Sequence, residues 1–198
     1  CQDWVEKYFG KDYQVSYGVS EYNVNSVSEQ NTMVTALAYA STLGEGSRHG
    51  MEYFTPWGWK TGMWETVHLF SRYAQTTNVS SVSSDENLLS VYASKNEQSD
   101  SLTLIIVNRD PKDSGKLSIQ IKNYNVLDGT YDVVQLSGLP ETETFVSHTN
   151  NALKHSFVEL QDSRIETSVP GYSITAIIIP SKVPSSITTI TNKGAIYP

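Results

Sequence analysis

The feature that most constrains this chain is a change of pattern near residue 76. Residues 1–76 alternate helical and strand-like segments in the order helix, strand, helix, strand, helix, which is typical of a parallel α/β fold. Residues 77–182 hold short alternating strands separated by turn sequences and show no helical pattern. We therefore predict an α/β region followed by an antiparallel β-sandwich, with a tail or edge strand over residues 183–198.

The first region begins with an amphipathic helix that ends at Gly10 and continues into the strand YQVSYGVSEYNV. The next segment carries a helical stripe that includes Met33 and Leu37, and its predicted stop is Gly44. The short apolar strand GMEYFTPWGW and a third helix, TGMWETVHLFSRYAQ, complete the region. A natural protein rarely opens on the end of a helix, so we expect the chain to be a piece of a longer one.

In the second region, the turn sequences NEQSDS, RDPKDSG and LDGT separate roughly six to eight short strands. Alternation between apolar and polar residues is clearest in the segments LLSVYAS and SLTLIIV. The Ser- and Thr-rich stretch 76–84 is either a linker or an edge strand that leads into the sandwich. This pattern favours two packed antiparallel sheets.

Composition and charge exclude several classes of function. The net charge of −7 and the absence of a Lys or Arg cluster exclude a nucleic-acid-binding protein. The single cysteine, Cys1, allows no intrachain disulfide, and no apolar run approaches the roughly 20 residues of a membrane span. The histidines lack metal-ligand spacing and no phosphate-binding loop is present, so we expect no metal and no cofactor.

Glu21 is the first candidate for chemistry. Together with Tyr22 and Asn23, it lies near the carboxyl end of the first predicted strand, and such strand ends form the mouth of a parallel barrel. A carboxylate at this position would need hydrogen-bonding neighbours to stay ionised as a nucleophile. A surface Glu at a strand end is the alternative, and the spacing alone leaves both interpretations open.

Three tryptophans lie close together in the segment YFTPWGWKTGMW. Trp57 and Trp59 follow the end of the second predicted strand, at the same predicted mouth as Glu21. Because the faces of aromatic rings stack on sugar rings, both are candidates for contact with a carbohydrate. Core packing is the alternative, and we expect it for Trp64, which lies inside the third helix.

Taken in order, these segments resemble the last part of a clan A glycoside hydrolase. The segment SEYN, the Trp-ended strand, ETVHLFSRYAQ and the strand LTLIIVNR are together most similar to family 44 endoglucanases. The resemblance covers residues 12–110 in the order of the motifs. From residue 111 onward, the chain agrees with the family only in having the pattern of a β-sandwich. It implies terminal β/α units of a (β/α)8 barrel followed by a β-sandwich, and a secreted or cell-surface bacterial enzyme. Related families that act on xylosides, arabinosides or algal galactans share much of this order.

Carried over residue by residue, the resemblance implies that Glu21 is the nucleophile of a retaining glycosidase. It places Trp57 at the floor of the −1 sugar subsite, and Tyr22 and Asn23 beside the nucleophile without a defined role. The implied substrate is a β-linked polysaccharide or oligosaccharide. A β-1,4-glucan is the first expectation, and xylan, mannan and algal galactan are the alternatives.

The same resemblance implies that a second carboxylic acid is missing. A retaining mechanism needs this acid about 5 Å from the nucleophile, and the clan carries it in an Asn-Glu pair on barrel strand four. The pair Asn96 and Glu97 lies in a predicted hairpin turn and does not fit. We therefore expect the acid/base upstream of Cys1, in the other half of the same enzyme, and expect this chain alone to be inactive.

A non-catalytic carbohydrate-binding or structural module over residues 80–182 is the competing hypothesis. A carbohydrate-binding face would need two or three exposed aromatic side chains on one side of the sandwich. All four tryptophans precede residue 65, which leaves the tyrosines Tyr92, Tyr124, Tyr131 and Tyr172. We therefore expect a support domain, and the Ser and Thr content permits only a weaker third interpretation as an adhesion module.

Overall fold

The computed structural model describes residues 2–24, 32–98, 101–140 and 142–180, so Cys1 and the predicted tail over residues 183–198 lie outside the described residues. The elements along the chain are α1 (Gln2–Phe9), β1 (Gly18–Tyr22), α2 (Thr32–Arg48), β2 (Tyr53–Pro56), α3 (Met63–Tyr73), β3 (Thr77–Val79), β4 (Leu89–Asn96), β5 (Ser101–Asn108), β6 (Leu117–Gln120), β7 (Gly129–Ser137), β8 (Lys154–Gln161), β9 (Arg164–Thr167) and β10 (Ser173–Ile179). The chain is thus mixed α/β, as predicted.

The strands β1 and β2 pair in parallel, with Gly18 opposite Tyr53 and Val19 opposite Phe54. Helix α2 connects them, because two parallel strands need a crossover between the end of one and the start of the next. The alternation of helix and strand predicted for residues 1–76 is confirmed by this β1–α2–β2 unit and by the helices α1 and α3 on either side of it.

Helix α2 does not end at Gly44, so that predicted stop is wrong. It runs on to Arg48 because Gly44 faces the ring of Tyr92, and a Cβ atom at this position would overlap the ring. The missing side chain lets the helix approach β4 closely. By contrast, Gly10 adopts a φ of 92° directly after α1, as expected for a glycine that ends a helix.

The strands β3 to β10 form one antiparallel sheet of eight strands, in the order β3-β4-β5-β10-β7-β8-β9-β6. The stretch 76–84 includes the edge strand β3, which pairs with β4. The sheet curls on itself, since Val79 of β3 and Ile119 of β6 pack against the same apolar core although they lie on opposite edges. The predicted antiparallel strands are therefore present, hydrogen-bonded into one continuous curled sheet.

The two faces of this sheet have different partners. Alternate residues of β5 show the division: Leu104 and Ile106 face the inner core of the curl, whereas Ile105 and Val107 face the helices. The core between helices and sheet is built from Met33, Ala36, Leu37 and Ala40 of α2, Leu69 of α3, and Tyr92, Ile105, Val107, Val134, Leu136, Ile174 and Ala176 of the sheet. Burial of this apolar surface fixes α2 and α3 against the sheet.

Candidate active site

Glu21 lies in an irregular part of β1. Val19 pairs with Phe54 and Tyr22 pairs with Pro56, so three steps along β1 correspond to two steps along β2. The extra residue makes a β-bulge that contains Ser20 and Glu21. Bulges redirect side chains and are frequent next to active sites. Both Ser20 and Glu21 are exposed.

Tyr22 lies on the side of β1 that faces α2. Its ring packs 4.8 Å from Phe54 and 6.2 Å from the buried Tyr39, measured between ring centroids. Thr42 donates to the Ala38 carbonyl, so the Tyr22 hydroxyl donates the 2.8 Å bond between the Tyr22 and Thr42 oxygens. Tyr22 therefore ties the strand that carries Glu21 to helix α2.

The same aromatic cluster contains a strongly shifted tyrosine. Burial, with a smaller contribution from Tyr22, raises the pKa of Tyr39 to about 12. Tyr39 therefore stays neutral and contributes a packed ring behind the strand.

Trp57 lies directly beside the end of β1. Its backbone N–H donates a 2.8 Å hydrogen bond to the carbonyl oxygen of Tyr22, the residue after Glu21. Its side chain is 70% exposed. Asn23 is also exposed, and its Oδ1 atom lies close to Gly58 in the loop after β2. The backbone thus brings Glu21, Asn23 and Trp57 to one edge of the β1–β2 pair.

Trp59 and Trp64 stack on each other. Their ring centroids are 3.7 Å apart and their planes differ by 5°. Trp64 also lies 6.1 Å from Phe145, which comes from the loop between β7 and β8, at an interplanar angle of 20°. Trp64 stacks between Trp59 and Phe145, but it is 38% exposed and belongs to none of the apolar cores of the described residues, so the core packing predicted for it is wrong. Trp59 is 41% exposed.

Glu65, in the first turn of α3, is a functional candidate that the sequence did not reveal. It is fully buried, and the backbone N–H of Ala152 donates a 3.3 Å hydrogen bond to its Oε1 atom. Its Oε2 atom has no hydrogen-bond partner among the described residues. Burial, and to a smaller degree the charge of Glu143, raises the pKa of Glu65. An acidic residue in the first turn of a helix normally faces solvent, so no sequence pattern distinguishes this one.

His68, one turn further along α3, has a lowered pKa. Burial is the main cause that lowers its pKa, followed by the nearby His148, Arg72 and His155. It contacts Phe145, with ring centroids 6.0 Å apart. The neutral ring is therefore favoured at this packed position.

The candidate site lies on open surface. Two hollows of about 270 Å³ and 530 Å³ lie elsewhere, and neither is lined by Glu21 or Trp57. Within the described ranges, no three His, Cys, Asp or Glu side chains come together to hold a metal ion. In the same ranges, every helix is too short or too polar to cross a membrane.

Comparison with known proteins gives a match in fold. No family model matches the chain, and no curated protein matches its sequence. Among solved structures, it is 21% identical to CelM2, a bifunctional glucanase-xylanase from a metagenome library, with a TM-score of 0.71 over 91% of this chain and 33% of that chain. It is 18% identical to a glycoside hydrolase family 44 endoglucanase from Clostridium acetobutylicum, with a TM-score of 0.72 over 91% of this chain and 34% of that chain.

A third structure extends the comparison to a bound sugar. The family 44 xyloglucanase of Paenibacillus polymyxa, determined with xyloglucan, is 18% identical, with a TM-score of 0.69 over 91% of this chain and 34% of that chain. The chain thus spans about a third of the length of these structures. At such identities the likeness concerns the fold, and it confirms the resemblance predicted from the motif order: the chain has the fold of the C-terminal part of family 44 glycoside hydrolases.

Proposed function

We propose that this chain is the C-terminal part of a retaining glycoside hydrolase that cleaves β-linked polysaccharide, with endo-β-1,4-glucanase activity as the first expectation. Residues 1–76 are the last portion of its (β/α)8 barrel and residues 77–182 are a support domain. The fold it shares with glucanases and xylanases supports this proposal.

The observation that carries the proposal is the bulge at Glu21. In a (β/α)8 barrel the helices cover the outer face of the strands, and catalytic groups project from the carboxyl ends of the strands. Tyr22 and Phe54 pack toward α2, whereas Ser20 and Glu21 are exposed. This arrangement suits a carboxylate that projects into the mouth of a barrel, where it attacks the anomeric carbon as a nucleophile.

Trp57 is proposed to form the floor of the −1 subsite, and its exposed indole ring suits stacking on a sugar. Asn23, at the same edge, is proposed to hydrogen-bond substrate hydroxyls. For Tyr22 we propose a supporting role, because its ring and hydroxyl are engaged by α2 and β2. Trp59 is proposed to extend the sugar-binding rim beyond Trp57.

The acid/base carboxylate and the remaining barrel strands are proposed to come from the part of the protein before Cys1, without which the chain is inactive. Three exposed aromatic residues of α1 contact one another on the surface: Trp4, Tyr8 and Phe9. Such an apolar patch is expected to pack against further elements of the barrel. Family likeness also leads us to propose secretion or display at a bacterial cell surface.

The four tyrosines of the second region support a structural role for it. Tyr92 and Tyr131 are buried, and Tyr124 and Tyr172 are partly buried. They therefore offer no open aromatic platform for a polysaccharide. We accordingly prefer the support domain to an independent carbohydrate-binding module.

The proposed function is tested with the full-length protein that contains this chain, assayed on soluble β-1,4-glucan, xyloglucan, xylan, mannan and algal galactan. The change Glu21→Ala is expected to lower hydrolysis at least about 1,000-fold, since removal of a nucleophile abolishes the covalent route. Azide is expected to restore part of the glycosidic-bond cleavage in Glu21→Ala, because it can attack the anomeric carbon in place of the carboxylate, displace the leaving group and form a glycosyl azide of inverted configuration. The change Glu52→Ala, at an exposed Glu just before β2, is the matched control and is expected to keep full activity. Undiminished hydrolysis in Glu21→Ala would overturn the assignment.

A further inference from the structure

Three aromatic rings connect the rim of the candidate site to the sheet. We call Trp59, Trp64 and Phe145 the aromatic ladder; its successive centroids are 3.7 Å and 6.1 Å apart, and its planes are tilted by 5° and 20°. Trp59 belongs to the loop after β2, Trp64 to α3, and Phe145 to the loop between β7 and β8. The last ring therefore comes from the region that we propose as a support domain.

The segment that carries Phe145 is held in a defined shape by its own hydrogen bonds. We call residues 142–153 the strap. The Glu143 Oε1 atom accepts hydrogen bonds from the backbone N–H groups of Thr144 and Phe145, at 2.9 Å and 2.8 Å. The Asn151 side-chain amide donates to the backbone carbonyls of Ser147 and His148, both at 3.0 Å. These bonds fix the backbone that presents Phe145 to Trp64.

The strap is anchored to α3 at Glu65. The backbone N–H of Ala152 donates to the Glu65 carboxylate, and Glu65 directly follows Trp64, the residue of α3 that Phe145 contacts. A buried carboxylate oxygen without a partner is costly, so this position is kept at the expense of stability. Glu143, on the strap, is a charged neighbour of Glu65. His68, three residues along α3, contacts Phe145.

We propose that the strap positions Trp59 for saccharide binding: Phe145 and Glu65 hold Trp64, and Trp64 holds the Trp59 ring so that its open face meets a substrate sugar next to the subsite at Trp57. This deepens the proposed function and rests on it. Phe145 and Glu65 are positioning residues in this arrangement and touch no reacting atom. A loop of the sheet region thereby contributes to the binding of the polysaccharide.

The physical gain lies in preorganisation. A free indole side chain at the rim would lose rotational freedom when a sugar binds, and that loss weakens binding. A ring already stacked on a second indole loses less, because the stack restricts it beforehand. The effect should appear in the binding of polysaccharide chains that reach Trp59 and should leave the chemical step unchanged.

The first test compares Phe145→Ala with Phe157→Ala in the full-length protein. Phe157 lies in β8, is 72% exposed and has no place in the ladder, so it is a matched control. For Phe145→Ala we expect a weaker exciton couplet of the two stacked indoles in the circular dichroism spectrum. We also expect a threefold to tenfold increase, as an order of magnitude, in KM for soluble β-glucan, with kcat changed by less than about twofold. An unchanged couplet and unchanged KM would overturn the inference.

The second test uses a pair of substitutions at Glu65. Glu65→Gln keeps an acceptor for the Ala152 N–H and is expected to keep both the couplet and KM near the parental values. Glu65→Ala removes the acceptor and is expected to reproduce the effects of Phe145→Ala. If Glu65→Ala fails to fold, the comparison of Phe145→Ala and Glu65→Gln still decides. Equal KM values and couplets in all three variants would contradict the inference.

The two proposals fail in different ways. Should the full-length protein hydrolyse none of the β-glycans, the proposed function falls and the saccharide part of this inference falls with it. The indole couplet still reports whether Phe145 holds the ladder, whatever the protein hydrolyses. A protein that hydrolyses β-glucan with unchanged KM and couplet in Phe145→Ala overturns the inference alone.

Discussion

The backbone N–H of Trp57 donates a 2.8 Å hydrogen bond to the carbonyl oxygen of Tyr22. This bond joins the strand end that carries the candidate nucleophile, Glu21, to the exposed ring that is the candidate sugar platform. It continues the parallel pairing of β1 and β2 past Pro56, which has no N–H to donate. The site therefore depends on the geometry of two strands and one helix, and each of these can be perturbed separately.

The hydrogen bond between the Tyr22 hydroxyl and Thr42 of α2 can be tested with a conservative substitution. Tyr22→Phe removes the hydroxyl that bonds to Thr42 and is expected to lower the free energy of unfolding by about 1 kcal/mol. Chemical denaturation measures the change. The control is Tyr13→Phe, at an exposed tyrosine after α1, which should stay within about 0.5 kcal/mol of the parent. Equal losses in both variants would argue against a specific role for the Tyr22 hydroxyl.

Trp57 should matter for binding and little for stability. Because its side chain is 70% exposed, Trp57→Ala is expected to change the free energy of unfolding by less than about 0.5 kcal/mol. In the full-length protein it is expected to raise KM for β-glucan about tenfold, through the lost stacking area. The change Phe157→Ala, at an exposed aromatic residue of β8, serves as the comparison. A KM that rises no further in Trp57→Ala than in Phe157→Ala would exclude Trp57 from the sugar site.

The helices and the sheet should unfold together, since they share one apolar core. Leu69 of α3 is fully buried in that core, and Leu69→Ala is expected to cost about 2–5 kcal/mol. Helical and tertiary probes should report the same denaturation midpoint. Leu88→Ala, at an exposed leucine just before β4, is expected to cost much less. Separate midpoints for helix and sheet would show that the two regions are independent.

Glu65 should make stability depend on pH. Its pKa is raised in the folded protein, so the folded state holds the proton more tightly than the unfolded state, and stability falls as the pH rises above the unfolded value of about 4.3. The fall ends once the pH has passed the pKa of the folded state. In Glu65→Gln this loss is absent, so the stability of the variant relative to the parent should increase over the same range of pH.

Denaturation at a series of pH values measures this difference, and comparison with the parent cancels the opposite contribution of His68, whose pKa is lowered. Glu159→Gln, at an exposed Glu of β8, is the control and should leave the profile unchanged. A relative stability of Glu65→Gln that is constant or decreases with pH contradicts the burial of an ionisable Glu65.

Local patterns predicted much of the fold because each pattern reflects a local rule. Gly10 ends α1, and the turn-rich second region forms antiparallel strands, as alternation and turn residues indicate. The helix end predicted at Gly44 is wrong, because this glycine instead allows α2 to approach Tyr92. Such a tertiary contact cannot be recognised from the local sequence. The placement of β10 between β5 and β7 also depends on long-range pairing.

The sequence predicted which residue types form the candidate site, but not how they are arranged in space. The exposed Glu21 and Trp57 follow from their positions at the ends of the two strands. The bulge at Ser20 and Glu21 arises from the register between β1 and β2, which periodicity within one strand does not contain. The contribution of Phe145 depends on a loop almost 90 residues beyond Trp57, and only the folded chain brings it near the rim.

The most direct test of the central claim is the identification of the residue that forms the covalent glycosyl-enzyme intermediate. The full-length protein would be incubated with a 2-deoxy-2-fluoro-β-cellobiosyl fluoride, which slows hydrolysis of the intermediate, then digested, and the labelled peptide sequenced by mass spectrometry. We predict that the label is on Glu21, within the segment YGVSEYNV. A label on any other carboxylate, with Glu21 unmodified, would contradict the assignment of Glu21 as the nucleophile.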